Sequence, residues 1–261
     1  MKVDPLRRST TFLALAALLA APAAVAMADT LIGTEASDQL IGTSAPDQLY
    51  GEAGDDLLSG AGSNDYLEGG PGADTVQGGF GLDLGLGGTG DDSIDMGAGD
   101  DTVYAGAGDD LVLGGTGRDV LFGQAGPDRL FGGSGGDRIY ASLGGDFVDA
   151  GSGPDEISSD QDDVTIRAGA GHDLITATGG RIVADGGGGR DRIRTGPDND
   201  LVTGGASADS IDSGAGNDNL RARDGRRDRV RCGDGDDVVE ADRVDVLTGC
   251  ERAQLGRSFR P

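Results

Sequence analysis

Gly114-Gly115-Thr116-Gly117-Arg118-Asp119-Val120-Leu121-Phe122 decides the architecture. Glycine holds the first, second and fourth places, Asp the sixth and an aliphatic the eighth. The following units repeat the pattern with Asp128/Leu130 and Asp137/Ile139. Upstream it recurs as Asp56/Leu58, Asp65/Leu67, Asp74/Val76, Asp92/Ile94, Asp101/Val103 and Asp110/Val112. Downstream it continues as Asp146/Val148, Asp155/Ile157, Asp173/Ile175, Asp191/Ile193, Asp200/Val202, Asp209/Ile211 and Asp218/Leu220. A nine-residue beat kept between Gly33 and Cys250 is the signature of stacked repeats, in which no unit buries its apolar face alone.

The residue types share one chemical logic. Glycines allow a turn with positive φ and let carbonyl oxygens crowd toward a point. A short anionic Asp reaches the same point. A calcium ion takes six to eight such oxygens at about 2.3–2.6 Å in a tolerant geometry. The aliphatic at the eighth place is left to point inward.

The pattern resembles the RTX, or hemolysin-type, calcium-binding nonapeptide G-G-x-G-x-D-x-U-x, over nearly the whole chain after residue 28. The resemblance implies an all-β fold, a right-handed parallel β-roll of about twelve coils with two nonapeptides per coil. Six residues of each unit would form a calcium-binding turn and three a short strand. Residues 18 apart would then stack at about 4.8 Å.

On that plan the Asp residues sort into two columns. One runs Asp47, Asp65, Asp83, Asp101, Asp119, Asp137, Asp155, Asp173, Asp191, Asp209 without a break. The other runs Asp38, Asp56, Asp74, Asp92, Asp110, Asp128, Asp146, then Val164 and Ile182, and resumes at Asp200 and Asp218. All but Asp38 are candidate calcium ligands, with a ceiling of about 16 ions set by the gaps between carboxylates. The turns beginning at Gly33 and Gly42 lack most of the glycines and are expected to bind weakly or not at all, as terminal repeats do. Gly85 stands where an aliphatic belongs, so that strand is expected to be locally weak. At the broken edge Val164 would stack on Ile182 and Ile166 on Ala184. That run is either an apolar ladder replacing metal or simple decay of the repeat.

Charge points the same way. Residues 1–28 read as a signal peptide: Lys2, Arg7 and Arg8, an apolar run over residues 12–21, and Ala26-Met27-Ala28 as a cleavage site. An uncleaved anchor is the alternative reading, and the export route, general or twin-arginine, stays open. The remaining chain carries 45 Asp/Glu against 18 Arg and no Lys, a net of −27. Such a chain attracts cations and repels nucleic acid and anionic membranes. Like charges stacked near 5 Å cost about 1 kcal/mol per pair even at the dielectric of water. One aliphatic per nine residues and 51 glycines give little to offset that. The apo chain is therefore expected to be largely disordered and to fold on calcium.

Near Arg226-Arg227 the beat slips by one, and Asp228/Val230 and Asp237/Val239 continue in a shifted register. Cys232 and Cys250 are 18 apart, one coil on the resembled plan, and are expected to form a disulfide, a free thiol pair being the alternative. The roll is assigned to residues 29–250 and residues 251–261 to a C-terminal cap. Arg221, Arg223, Arg226, Arg227, Arg229 and Arg231 read as a solvated cap whose guanidiniums meet nearby Asp residues, with docking to an acidic wall polymer as the alternative.

No enzyme is expected. Gly132-Gly133-Ser134-Gly135-Gly136 imitates a nucleophile elbow and Gly85-x-Gly87-x-x-Gly90 a dinucleotide loop, but neither has a strand–turn–helix setting. His172 is the only histidine and has no Ser or Cys partner in the sequence pattern. Relatives that are enzymes carry the repeats beside a separate domain, for which no length remains here. Ice or polysaccharide binding along a flat face would need a regular ninth position, which reads Tyr50, Ser59, Glu68, Gln77. The expected function is a secreted, extracellular or cell-surface calcium-binding structural or adhesive module, a monomer. Its partners would be calcium and a surface polymer or extracellular protein. A carbohydrate- or wall-binding module, or an accessory to a calcium-dependent secreted enzyme, are the alternatives.

Overall fold

An offset of 18 residues between paired strands organises the molecule. The computed structural model describes residues 27–160 and 163–256, which contain strands and turns and no helix. The strands form two parallel sheets, of 13 and 15 strands. Successive strands alternate between the sheets, so each coil places one strand in each, and about twelve coils make a parallel β-roll. Leu111 pairs with Arg129, Val112 with Leu130 and Leu113 with Phe131, and this register recurs coil after coil.

The mid-roll strands are longer than three residues. Leu111–Thr116 and Arg129–Ser134 each span six, because the glycine-rich stretch after the aliphatic also pairs, Gly115 with Gly133. Gly115 can continue the strand only because its φ is +107°, a region that penalises a Cβ. An added Cβ there would also strike the Gly97 carbonyl of the preceding coil.

Eighth-position side chains fill the thin space between the sheets. Leu121, Ile139, Ile157 and Ile175 on one side and Val112, Leu130, Val148 and Ile166 on the other are all buried. Val164 pairs with Ile182 and Ile166 with Ala184, and all four are buried, so the stretch that lacks Asp is an ordered apolar ladder.

The strand containing Gly85 is not left with a hole. Met96, at a place where most units have glycine, reaches across the core, and a Cβ on Gly85 would meet its Sδ at 2.9 Å and its Cε at 3.2 Å. Met96 is fully buried. A flexible thioether thus fills the gap left by the missing aliphatic. Met96→Gly alone is expected to destabilise the metal-loaded roll by about 2–5 kcal/mol. Gly85→Leu alone should cost about 1–3 kcal/mol through overpacking. Combined, they should cost less than their sum, as read by thermal unfolding of all four proteins.

At the C-terminal end, Ser210 pairs with Arg229, an offset of 19, and Arg229 with Val246, an offset of 17. In the other sheet the offset is 19 from Asn219 to Val238 and falls to 14 from Val238 to Arg252, so the last coil is shortened. Cys232 and Cys250 are joined, with Cα atoms 5.2 Å apart. Because the local offset is 17, Cys250 lies one residue beyond direct stacking. The sheet also continues past Cys250, with Arg252–Leu255 pairing to Val238–Ala241. The expected signal peptide falls almost wholly on residues 1–26 and the end of the tail on 257–261, outside the described residues. Met27 and Ala28 precede the first strand, Thr30–Ile32. Among the described residues no helix is long and apolar enough to cross a membrane.

Candidate metal centres

Each sixth-position Asp is fixed by the coil before it. The Asp101 N–H donates to Asp119 Oδ1 at 2.9 Å, and the Asp119 N–H donates to Asp137 Oδ1 at 2.9 Å. The other column does the same, Asp92 to Asp110 and Asp110 to Asp128, at 2.8 and 3.0 Å. One carboxylate oxygen is therefore spent on holding the coils together.

The other oxygen has nothing. Oδ2 is buried without a hydrogen-bond partner in Asp56, Asp65, Asp74, Asp83, Asp92, Asp101, Asp110, Asp119, Asp128, Asp137, Asp155, Asp173, Asp191, Asp200, Asp209 and Asp218. Buried polar atoms are normally satisfied, and a repeated exception calls for a missing partner. The surroundings say what kind. A Cβ built on Gly114 would meet Asp119 Oδ2 at 2.7 Å and the Gly132 carbonyl oxygen at 2.8 Å. At Gly78 the same point is 2.7 Å from Asp83 Oδ2 and 2.8 Å from the Met96 carbonyl oxygen. A carboxylate and a carbonyl from the next coil converge where only glycine leaves room.

These donors are all hard oxygens, which suit Ca²⁺ and disfavour the softer transition metals. No group of three His, Cys, Asp or Glu side chains converges on one point among the described residues. Any ion held here would take much of its coordination from main-chain carbonyls.

Burial marks the same carboxyls. Desolvation raises Asp92, Asp101, Asp128, Asp155 and Asp209 to about 7, with the hydrogen bond from the preceding coil opposing it. Asp65, Asp119, Asp191 and Asp218 are raised to about 6 for the same reason. Such groups resist carrying charge unless a cation joins them.

The structure separates the candidates. Asp38 Oδ2 accepts from the Thr34 N–H and hydroxyl at 2.7 and 2.8 Å, and Asp47 Oδ2 accepts from the Thr43 N–H and hydroxyl. In these first turns threonine replaces the second glycine and occupies the oxygen that later turns leave open. Asp146 is buried beside the interrupted edge, and its Oδ1 accepts from the Asp128 N–H at 2.9 Å like the rest of its column. Two further members belong with the columns. Asp228 and Asp237 are buried, their Oδ2 atoms are unpartnered, and their Oδ1 atoms accept from the Asp209 and Asp218 N–H at 2.8 and 3.0 Å. The signal for both was present in their Asp-x-Val spacing, after the one-residue slip.

Two surface readings change. Within one sheet, Tyr104, Phe122 and Tyr140 stack with centroids 4.7 Å apart, a run that appears only when ninth positions are taken 18 residues apart. The expectation that the C-terminal arginines meet nearby Asp residues holds for none of Arg221, Arg223, Arg226, Arg227, Arg229 and Arg231. Among the described residues the ion pairs are Arg118–Asp100, Arg138–Glu156 and Arg252–Asp236. His172 lies on the surface, its Nδ1 accepting from the Arg190 N–H at 2.8 Å.

The family model for the RTX calcium-binding nonapeptide repeat matches residues 32–181 in overlapping windows, and again residues 185–220. No curated protein matches the sequence. Among solved structures, the chain is similar to a hyperactive, Ca²⁺-dependent, β-helical antifreeze protein from an Antarctic bacterium. The identity is 21%, with 86% of this chain and 81% of that chain covered, at a TM-score of 0.46.

Proposed function

Because the chain belongs to the RTX calcium-binding nonapeptide-repeat family, we propose that it is a secreted structural module that calcium makes rigid outside the cell, where it serves adhesion. One observation carries the reading: two columns of buried Asp Oδ2 atoms without partners, with Asp56, Asp74, Asp92, Asp119, Asp137 and Asp191 among those that face a main-chain carbonyl of the next coil. A cation bound between coils would complete both groups, and one bound at every gap would draw the coils into a single rod. In this reading the unsatisfied set from Asp56 to Asp237 supplies the ligands. The first two turns act as a cap, and the Val164/Ile182 ladder divides one column into two metal-holding runs. The charge of the chain, −25 overall, suits a calcium-rich exterior. Adhesion is preferred over catalysis because the column carboxylates are held between coils, each with Oδ1 bound to the N–H of the preceding coil.

Calorimetric titration of the metal-free chain with calcium tests this. Uptake of many ions per chain, up to about 16, at extracellular concentrations is the expected result. Uptake of none would remove the proposal. Asp119→Ala, in the unbroken column, should lower the stoichiometry. Asp38→Ala, whose Oδ2 is already satisfied by Thr34, should leave it unchanged.

A further inference from the structure

Six arginines that the sequence separates come together on the outer face of one sheet. Arg192, Ser210 and Arg229 are in register on neighbouring strands, as are Arg194, Asp212 and Arg231. Arg190 and Arg227 precede Arg192 and Arg229 by two residues, on the turns. The coil between these arginine-bearing coils carries only Ala208 and Ser210 at the matching places, so a trough opens. It is a cavity of about 690 Å³, lined by Arg190, Arg192, Arg227 and Arg229 together with His172 and the column residues Asp173, Asp191 and Asp209. A second cavity of about 330 Å³ shares Ser210 and Arg229 and runs on past Arg231 to Thr248. The two cavities follow one another over neighbouring coils of the roll.

None of these guanidiniums makes an ion pair among the described residues, in a chain of net charge −25. The nearest carboxylates cannot serve them. Asp173, Asp191, Asp209 and Asp228 are buried, with Oδ1 taken by the preceding coil's N–H. Asp212, between Arg194 and Arg231, lies beyond ion-pair reach of both. By contrast, Arg118 and Arg138 meet Asp100 and Glu156 one coil away.

We propose that this groove binds a linear acidic polysaccharide through its carboxylates. The Arg192 and Arg229 strands are two inter-strand steps apart, about 9.6 Å, and the planar fork of each arginine suits a carboxylate. The lining spans four successive coils, from Leu174 through Arg192 and Ser210 to Arg229, which suits a chain lying across coils rather than an isolated anion. A polymer with one charge per sugar tolerates the acidic body around the groove, whereas a duplex with one charge per about 1.7 Å is repelled by it. The inference rests on the calcium-loaded roll proposed above, since cations between the coils neutralise the Asp column directly under the arginines.

The test is calorimetric titration of the full chain in millimolar calcium with tetragalacturonate, with maltotetraose as the neutral probe. The wild-type protein is expected to bind the uronate and not the neutral sugar. The Arg192→Glu/Arg229→Glu protein should bind at least tenfold more weakly, with unchanged circular dichroism. The Arg118→Glu/Arg138→Glu protein, carrying the same charge change elsewhere, should bind like wild type. A folded wild-type protein that ignores the uronate overturns the proposal while leaving the calcium reading intact. Equal binding by the Arg192/Arg229 variant overturns it too, and points to calcium bridging on the acidic surface. Self-association that this variant abolishes, without uronate binding, makes a second copy the occupant and also overturns it. A chain that does not fold in calcium condemns the earlier reading instead.

Discussion

Chelating calcium at neutral pH is expected to abolish nearly all β structure, and restoring millimolar calcium to recover it. The magnitudes leave little choice. Carrying a charge out of water costs several kcal/mol even after relaxation. A domain of ordinary stability has only about 5–15 kcal/mol in total. A few ionised, uncompensated carboxylates would therefore exceed the whole margin, and this roll buries an unpartnered Oδ2 from Asp56 to Asp237 in both columns. The core that opposes them is one aliphatic deep per strand. Far-UV circular dichroism with chelator and with calcium reads the effect directly. A β signal indifferent to chelator would mean that the orphaned oxygens are tolerated without metal. Within this transition the Cys232–Cys250 bond fastens only the last coil, so reduction alone should loosen the C-terminal end and leave the central coils calcium-dependent.

Acid is expected to replace calcium in part, which is the opposite of the usual acid denaturation. The column carboxyls have folded-state values of about 6 to about 7, above the ordinary 3.8. A raised value means that the folded chain holds protons the unfolded chain has released. The stability contributed is thus fully present below about pH 4 and is lost as pH rises through 6 to 7. In chelator, circular dichroism at pH 5 should show β structure that is absent at pH 8. That pH lies above the isoelectric point of about 4.1, so net negative charge still opposes precipitation. With calcium the direction reverses. Metal needs the carboxylate form, so apparent calcium affinity should fall as pH drops below about 7. A metal-free chain equally disordered at pH 5 and pH 8 would sink this account.

Legibility differed between the roll's interior and its surface. The inward-facing Leu121 and the turn Asp119 were readable because every coil imposes the same requirement at the same phase. Asp228 and Asp237 followed the same rule across the slip near Arg226. Asp47 was harder to judge: its spacing is regular, yet Thr43 occupies its second oxygen, a fact of hydrogen-bond geometry. Met96 filling the place opposite Gly85 could not be read either, since it joins two departures from the repeat on different sheets.

The nonapeptide beat by itself determined the parallel roll, its 18-residue coil, its inward aliphatics and its two carboxylate columns, because a strictly periodic chain has one way to stack every unit on its neighbour. Only the tertiary structure decided which carboxylate oxygens are spoken for and which are left open. It also decided that Arg192 lies across Ser210 from Arg229, and that three aromatic rings stack in one row. Those outcomes depend on what stands one coil away at variable positions, where the periodicity imposes no residue and neighbours in space are 17 to 19 residues distant in sequence.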